Sequence, residues 1–473
     1  MTVTRAAALE AASGTPEAGT LEQIINRAAD ARPIPGNNVR LLIDGPECYA
    51  AMLDVIAGAQ RWIHFENYII RSDRTGWRFA EALAARAREG LPVRVVYDWL
   101  GSIATRSKFW RFLRQAGVEV RCHNPPKFLD AFLNLTRDHR KLVVADGVVG
   151  ITGGLCIGNE WMGDQSKDIQ PWRDTGIEIS GPAAVALDQS FDRLWRITGK
   201  GAGDDHSPAE TPGQGDANIR VIEGRPGRER TYKVLEILAA SSVRRLWITD
   251  AYMVPPPRLF QAFVDAARDG VDIRMLVPGS SDVSVVRNLT RVGYRDLLRA
   301  GVRIFEWDGP MLHAKTIVAD GRWARIGTSN LNASSLTGNY ELDVLVDDSR
   351  VAHQLEEQFR RDIARSSEIL RGKLRAPERF QKVLPSRLAR QQPEEAPATH
   401  TRTRREGRRR AVVALWTVVT GARRSLFGPA ALVLIALGGL FLVLPRVMAY
   451  VFGAICVWLA VAATREALRR RGG

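Results

Sequence analysis

Apolar residues recur along the first part of the chain at two spacings, which predict an alternation of strands and helices. Short runs rich in Val, Ile and Leu predict strands, and longer stretches with a helical period predict helices. The predicted strands are residues 40–43, 62–70, 93–97 and 118–121, and the predicted helices are residues 50–60 and 80–88. Such alternation packs helices on the faces of a mixed or mostly parallel sheet, so the expected fold class is α/β.

The same order of elements then occurs a second time. Strands are predicted at 218–223, 246–252, 273–277 and 302–305, with helices at 232–240 and 260–268. Short sequence segments repeat as well: EGLPVRVV at 89–96 matches DGVDIRML at 269–276, and AGVEV at 116–120 matches AGVRI at 300–304. A repeat of this length indicates a duplicated domain rather than a solenoid. We predict one α/β domain at 37–197 and a second at 218–366.

The remaining segments differ in composition from these domains. We predict a mobile leader with one short helix at 1–36, a Gly/Pro/Asp-rich linker at 198–217, and a basic, Pro-rich linker at 367–410. Residues 426–444 and 447–463 carry no charge, and each run forms roughly 25–28 Å of helix, enough to span a hydrocarbon core of ~30 Å. We therefore expect a membrane region at 411–473 containing a transmembrane helical hairpin. A buried helical pair packed on the globular part is the alternative.

Charge suggests the partners and the orientation. Lys and Arg number 67 against 52 Asp and Glu, a formal net charge of +15, which favours lipid headgroups, nucleic acid or phosphorylated substrates. Arginines flank both ends of the predicted hairpin, whereas only Arg446 lies between its spans. Because positively charged flanks stay on the cytoplasmic side of a membrane, we expect both ends of the hairpin and the two α/β domains to lie on that side. The four cysteines form no CxxC pair, so neither a disulfide framework nor a zinc site is expected.

A His-x-Lys-x4-Asp motif occurs at matching places in the two repeats. Residues two apart on a strand face the same side, so the histidine and lysine of each copy project together toward one site. The six residues predicted to be catalytic are His139, Lys141 and Asp146 in the first repeat and His313, Lys315 and Asp320 in the second.

Further side chains are predicted to complete this site. Small or polar residues that follow each motif let the backbone approach a phosphate, and those predicted to bind it are Gly153, Gly154, Thr328 and Asn330. A reactive histidine also needs a partner that fixes its tautomer. Asp174 and Glu341 lie on the strand after the first and second motif, so we expect Asp174 to orient His139 and Glu341 to orient His313.

This set of groups suits cleavage of a phosphodiester without a metal or another cofactor. One imidazole attacks phosphorus to give a phosphohistidine, and the other protonates the leaving oxygen. The two lysines and Asn330 stabilise the charge on the non-bridging oxygens. A second alcohol, or water, then takes the phosphoryl group.

At these residues the chain resembles the phospholipase D superfamily. Short segments around these motifs are similar to segments of bacterial cardiolipin synthases. They are RLLIDG at 40–45, AQRWIHFENY at 59–68, WRDT at 172–175, AYMVP at 251–255 and GTSNL at 327–331. The resemblance covers about residues 38–366 and implies transfer of a phosphatidyl group from one phospholipid to the hydroxyl of phosphatidylglycerol. Cys156 stands where this family usually has Asn. The apolar hairpin lies at the C-terminus, whereas many cardiolipin synthases carry helices at the N-terminus.

Three functions remain open at this point. They are a phosphatidyltransferase, a hydrolytic phospholipase D or other phosphodiesterase such as a nuclease, and a non-catalytic membrane scaffold. Both His-Lys pairs are intact, which disfavours the scaffold. The hairpin favours anionic phospholipids and the membrane as partners, and no nucleic acid is expected. The sequence does not determine the oligomeric state or which histidine is the nucleophile.

Overall fold

The computed structural model describes residues 16–125, 136–199, 211–282 and 284–370. In these ranges the α-helices are α1 Pro16–Ala29, α2 Asp44–Gly58, α3 Arg74–Arg88, α4 Ser107–Gln115, α5 Asn159–Met162, α6 Pro182–Thr198, α7 Arg230–Ser241, α8 Pro257–Arg268, α9 Ser284–Ala300 and α10 Ser349–Ile363. The strands are β1 Ile34–Ile43, β2 Ile63–Asn67, β3 Val93–Asp98, β4 Glu119–His123, β5 Lys141–Ala145, β6 Val149–Gly153, β7 Thr175–Ser180, β8 Ala217–Gly224, β9 Arg245–Thr249, β10 Asp272–Pro278, β11 Arg303–Trp307, β12 Thr316–Ala319, β13 Trp323–Gly327, β14 Glu341–Asp347 and β15 Ser366–Glu368.

All of these strands belong to one continuous sheet, in the order β15-β11-β10-β9-β12-β13-β14-β8-β1-β7-β6-β5-β2-β3-β4. Outward from the central antiparallel pair β1–β8, each half runs through corresponding strands in the same order. In each half three strands are parallel (β2–β4 and β9–β11) and the others pair antiparallel. The predicted mixed α/β sheet is confirmed, and its two halves are related by a pseudo-twofold axis between β1 and β8.

Three apolar cores hold helices on this sheet. One lies on the first half and includes Phe79 and Phe109 from α3 and α4. A second lies on the other half and includes Phe263 from α8. The third draws residues from both halves, with Phe191 of α6 and Phe359 of α10. Since this third core is shared, burial of apolar surface joins the two halves as well as stabilising each one.

The N-terminal region departs from the sequence prediction. Ile25 and Ala29 of α1 are buried in the core of the second half, and the buried guanidinium of Arg220 donates to Glu22 at 2.9 Å. Strand β1 already begins at Ile34, which pairs with Ile219. A mobile leader is therefore wrong for residues 16–36, because the apolar face of α1 packs on the second repeat. Residues 1–15 lie outside the described ranges.

Parts of the predicted linkers and the whole predicted membrane region also fall outside the described residues. These are residues 200–210 and everything from 371 onward, which includes both expected spans. Among the helices that are described, none combines the length and apolar character needed to cross a bilayer.

The two motif aspartates lie at the far ends of their strands from the motif lysines. Asp146 has a left-handed backbone (φ 59°), and its carboxylate accepts the backbone N–H groups of Gln60, Arg61 and Trp62 at 2.7–2.9 Å. Five residues of extended chain separate it from Lys141, roughly 16 Å.

Asp320 has the equivalent position and contacts. Its φ is 53°, and it accepts from the N–H groups of Val243, Arg244 and Arg245 at 2.8–2.9 Å. Both aspartates therefore lie away from the motif lysines, which argues against the predicted catalytic role. Their carboxylates fasten the β5–β6 and β12–β13 turns to the starts of β2 and β9, and Asp tolerates the left-handed conformation better than most residues.

Replacing Asp146 by Ala should therefore reduce stability without removing the chemistry. The variant leaves three N–H groups without their acceptor and places Ala in a left-handed conformation, so we expect the free energy of unfolding to fall by about 2–3 kcal/mol. Asp146→Asn keeps one acceptor oxygen and should lose less. Denaturant unfolding in detergent measures the loss, and turnover per folded molecule should stay near wild type. A collapse of turnover in a folded Asp146→Asn protein would restore a catalytic role.

Candidate active site

Both motif histidines lie where the two halves of the sheet meet. The backbone N–H of His139 donates to the carbonyl of Tyr340 at 3.0 Å, and the N–H of Tyr340 donates to the carbonyl of Arg137 at 2.8 Å. The other half repeats this arrangement, since His313 donates to the carbonyl of Arg173 at 2.7 Å. Each motif therefore begins beside backbone that leads into a strand of the opposite half: Tyr340 directly precedes β14, and Arg173 lies two residues before β7.

These backbone bridges place a carboxylate from the opposite half on each imidazole. His139 Nδ1 lies 3.1 and 3.0 Å from Oε1 and Oε2 of Glu341, and His313 Nδ1 lies 2.7 Å from Oδ2 of Asp174. The predicted pairing, Asp174 with His139 and Glu341 with His313, is wrong. Both carboxylates do contact a motif histidine, but each crosses the pseudo-twofold axis to reach it.

Each carboxylate is buried and held by further donors. The Thr328 hydroxyl donates to Glu341 and itself accepts the backbone N–H of Leu342 at 2.9 Å. Asp174 accepts the indole N–H of Trp161 at 3.0 Å and the backbone N–H of Thr175 at 2.8 Å. Donors that favour the ionised form keep the carboxylates charged and fixed in orientation.

Three of the predicted phosphate-binding residues contact or make room for these carboxylates and the strands that carry them. Thr328 is fully buried with its hydroxyl on Glu341. A Cβ on Gly154 would stand 2.0 Å from Oδ1 of Asp174, so only glycine leaves room for that carboxylate. Gly153 has φ +147°, and a Cβ there would stand 2.5 Å from the carbonyl oxygen of Thr175. Phosphate binding by these three residues stays a prediction.

Electrostatics favour neutral histidines beside ionised carboxylates. Burial lowers the pKa of His313 to about 4, and the charge of Lys315 acts in the same direction against the carboxylate of Asp174. Burial also lowers the pKa of His139 despite Glu341. For Glu341 and Asp174, burial raises the pKa, but the facing histidine and lysine outweigh it and the net shift is downward. An ionised carboxylate only accepts, so Nδ1 carries the proton and Nε2 carries the lone pair.

The two motif lysines are fully buried beside the histidines. Lys141 Nζ donates to the carbonyl of His139, and Lys315 Nζ donates to the carbonyl of His313. Burial lowers the pKa of Lys315 to about 8, with the charge of Lys141 adding to that effect and Asp174 and Asp250 opposing it. Because the charge of Lys141 acts on Lys315 and the charge of Lys315 acts on His139, both half-sites contribute positive charge to one centre.

Two tyrosines that the sequence analysis did not assign also belong to the site. The rings of Tyr68 and His139 lie edge to face at 4.9 Å, and those of Tyr252 and His313 at 6.1 Å. The lysine ammonium of each half lies over the same ring, at 5.3 Å for Tyr68 and 5.9 Å for Tyr252. Burial raises the pKa of Tyr68 to about 12 and raises that of Tyr252 as well, so both stay protonated. Tyr68 directly follows β2 and Tyr252 lies three residues after β9, and a tyrosine soon after each of these corresponding strands is the signal that could have identified them.

The half-sites differ two residues after Gly154 and Thr328, where the first half has Cys156 and the second has Asn330. Asn330 and Cys156 are both buried there, and Asn330 Oδ1 has no hydrogen-bond partner among the described residues. Burial raises the pKa of the Cys156 thiol, although both motif lysines act against that shift. In the described ranges no three His, Cys, Asp or Glu side chains form a group that could hold a metal ion.

The crossed pairing can be tested by removing one carboxylate at a time. In Asp174→Ala, the ring-nitrogen signals of His313 should move in NMR spectra of ¹⁵N-histidine-labelled protein, while those of His139 stay in place. Glu341→Ala is the matched control and should move only the His139 signals. Turnover should fall on the order of a hundredfold or more in both variants, because the imidazole loses its oriented tautomer. If Asp174→Ala perturbs His139 alone, the pairing lies within each half.

Comparison with known proteins agrees with this geometry. Residues 234–363 match the family model described as "Cardiolipin synthase, PLD-like domain". The chain is 34% identical over 340 residues to cardiolipin synthase of Halalkalibacterium halodurans, covering 70% of this chain and 67% of the relative. It is 33% identical over 341 residues to that of Listeria innocua, covering 70% of each. Phosphatidylserine synthase of Haemophilus influenzae shares the fold (TM-score 0.58, 15% identity, 77% of this chain and 96% of that one). The chain therefore belongs to the cardiolipin synthase family of phospholipase D-like proteins.

Proposed function

We propose that this protein transfers a phosphatidyl group between phospholipids and makes cardiolipin from two molecules of phosphatidylglycerol. The observation that carries the proposal is the pair of imidazoles, each with its Nδ1 on a carboxylate of the opposite half. Two buried lysines stand beside them. The names of the relatives in Halalkalibacterium and Listeria support cardiolipin as the product.

In the first step, Nε2 of one histidine attacks the phosphorus of phosphatidylglycerol. The bond between phosphorus and the glycerol oxygen breaks, and the second histidine, which takes up a proton from water at Nε2 when the anionic substrate binds, gives that proton to the glycerol oxygen. Glycerol leaves, and the phosphatidyl group remains on the first histidine. Developing charge on the non-bridging oxygens is stabilised by Lys141 and Lys315, and we assign Asn330 to the same oxygens.

In the second step, the hydroxyl of another phosphatidylglycerol gives its proton to the second histidine and attacks the phosphatidyl-histidine. The nitrogen–phosphorus bond breaks, cardiolipin forms and both imidazoles return to their starting states. Glu341 and Asp174 stabilise the imidazolium that appears in each step, because a carboxylate at Nδ1 favours the charged ring. Attack by water instead of the second lipid would give phosphatidic acid, the product of a hydrolytic phospholipase D.

We further propose that the C-terminal segment anchors these domains on the cytoplasmic face of a bacterial inner membrane. The support is the sequence alone: two uncharged runs at 426–444 and 447–463 with arginines at both outer ends. The full chain should stay with membranes in a high-salt wash, which removes electrostatic attachment, and should dissolve in detergent. A chain ending near residue 405 should be soluble. Release of the full chain by salt alone would exclude a spanning hairpin.

The catalytic proposal predicts that neither histidine can be replaced. In His139→Ala and in His313→Ala, transfer should fall by at least about a thousandfold, since one variant lacks the nucleophile and the other the acid. The measurement is conversion of labelled phosphatidylglycerol, with cardiolipin and glycerol resolved from phosphatidic acid. His353→Ala, at an exposed site on α10, is the control and should retain the wild-type rate.

The same assay separates the alternatives. Cardiolipin and glycerol in equal amounts support transfer, whereas phosphatidic acid as the main product would identify a hydrolase. Quenching with SDS near neutral pH, because the phosphohistidine bond is labile in acid, should leave phosphatidyl label on the wild-type protein and none on the double variant lacking both histidines. Substantial turnover by either single variant would exclude the two-histidine mechanism.

A further inference from the structure

Large apolar side chains are exposed at the end of the sheet where the histidines lie. Leu100 and Ile103, in the loop after β3, are 46% and 58% exposed, and Ile169, in the loop between β6 and β7, is 53% exposed. Exposing a single such side chain is common. Here three such side chains lie on two loops beside one catalytic centre. We refer to these three residues as the apolar rim.

The first loop is fixed to the His139 half-site. The Ser102 hydroxyl donates to the carbonyl of Tyr68 at 3.2 Å, and a Cβ on Gly101 would stand 2.8 Å from the Tyr68 ring. Asp98 accepts the backbone N–H groups of Leu100 at 2.9 Å and of Asp138, the residue before His139, at 3.0 Å. Leu100 and Ile103 are thus held outward by the same contacts that position the ring against His139.

The second loop is fixed to the His313 half-site. Trp161 and Trp172 flank the loop that carries Ile169, and their rings lie 5.4 and 6.0 Å from the His313 ring. The backbone N–H of Ile169 donates to the carbonyl of Asp164 at 3.0 Å, and the N–H of Asp164 donates back to Ile169 at 2.7 Å. This closed turn presents Ile169 to solvent at the mouth of the site.

Cationic side chains accompany the rim. Arg106 and Lys108 follow Ile103 in the first loop and at the start of α4, and both are exposed. Lys167 lies two residues before Ile169 in the second loop, and it is exposed although its ammonium pairs with Asp164 at 3.1 Å. Apolar side chains that enter the acyl region, with arginine and lysine beside them at the level of anionic headgroups, are the combination that binds a membrane surface.

We infer that the apolar rim docks the mouth of the active site into the surface of a bilayer that contains anionic phospholipid. This inference rests on the proposed function, in which the phosphodiester of a lipid must reach the buried histidines. The lipid moves the shortest distance out of the bilayer when the mouth of the site is itself inserted in the bilayer surface. It is separate from the C-terminal segment, which would hold the protein at the membrane without deciding which face of the domains meets the lipid.

The first test measures insertion of the apolar rim into the bilayer and does not depend on turnover. The full chain carrying Ile103→Cys, labelled with an environment-sensitive fluorophore, is reconstituted into vesicles of phosphatidylglycerol and phosphatidylethanolamine with a nitroxide on the acyl chain. Label at position 103 should be quenched. Val148→Cys is the matched control, because Val148 is 38% exposed in the β5–β6 turn at the opposite end of β5, and its label should stay bright. Labelled wild-type protein corrects for native cysteines.

The second test reads function. The double variant Leu100→Asp/Ile103→Asp should lose on the order of tenfold of its activity on vesicles, while its rate on monomeric short-chain phosphatidylglycerol in detergent stays at the wild-type value. Val148→Asp adds a charge at the far edge and should change neither rate.

The possible outcomes distinguish failure of membrane docking from failure of the proposed function. Equal quenching at positions 103 and 148 would overturn docking, as would an equal fall of the double variant on both substrates, which would make the rim a structural element. Quenching at position 103 by a protein that transfers no phosphatidyl group would support docking and contradict the proposed function. Quenching that needs a second copy of the chain rather than lipid would also overturn docking, because the rim would then be a contact between proteins.

Discussion

The hydrogen bond between each motif histidine and a carboxylate of the opposite half is the interaction on which the site depends. A single half would present an imidazole whose Nδ1 partner is missing and a buried carboxylate without a counter-group, and leaving such a group unpaired costs several kcal/mol. Backbone bridges at Tyr340 and Arg173 set the crossing, and the β1–β8 pair and the shared core of α6 and α10 hold the halves in that register. Fusion of the repeats into one sheet is therefore a requirement of the chemistry.

The charges in this centre balance only as a set. Two buried lysines face two ionised carboxylates through imidazoles that stay neutral, because burial lowers the pKa of both rings. A phosphodiester adds one negative charge beside the lysines and so favours protonation of one imidazole, which its carboxylate then stabilises. The site is thus arranged to become charged when substrate arrives. That explains why groups so expensive to desolvate are kept where an apolar core would be more stable.

Much of this could be predicted from the sequence because it depends on local spacing. The strand and helix periods give the mixed sheet, and two copies of one motif identify His139, Lys141, His313 and Lys315. What failed depends on contacts between distant segments. Spacing within a repeat cannot show that Glu341 contacts His139 of the opposite half. The same spacing predicted one catalytic site for Lys141 and Asp146, although their side chains lie at opposite ends of β5. The glycine at 154 suggested a phosphate, whereas its lack of a side chain makes room for Asp174.

In the proposed mechanism the two halves must nevertheless differ, since its first step needs one neutral and one protonated imidazole at the same moment. The motifs themselves are identical in their histidine and lysine, so the difference comes from residues outside them. Asn67 pairs with Lys141 across β2 and β5, whereas the equivalent place beside Lys315 holds Asp250, whose pKa burial raises to about 6. In the same way, the first half has Cys156 at the position where the second half has Asn330. The backbone repeats with twofold symmetry, while the side chains around each histidine have diverged, and that divergence allows one fold used twice to divide the roles of nucleophile and acid.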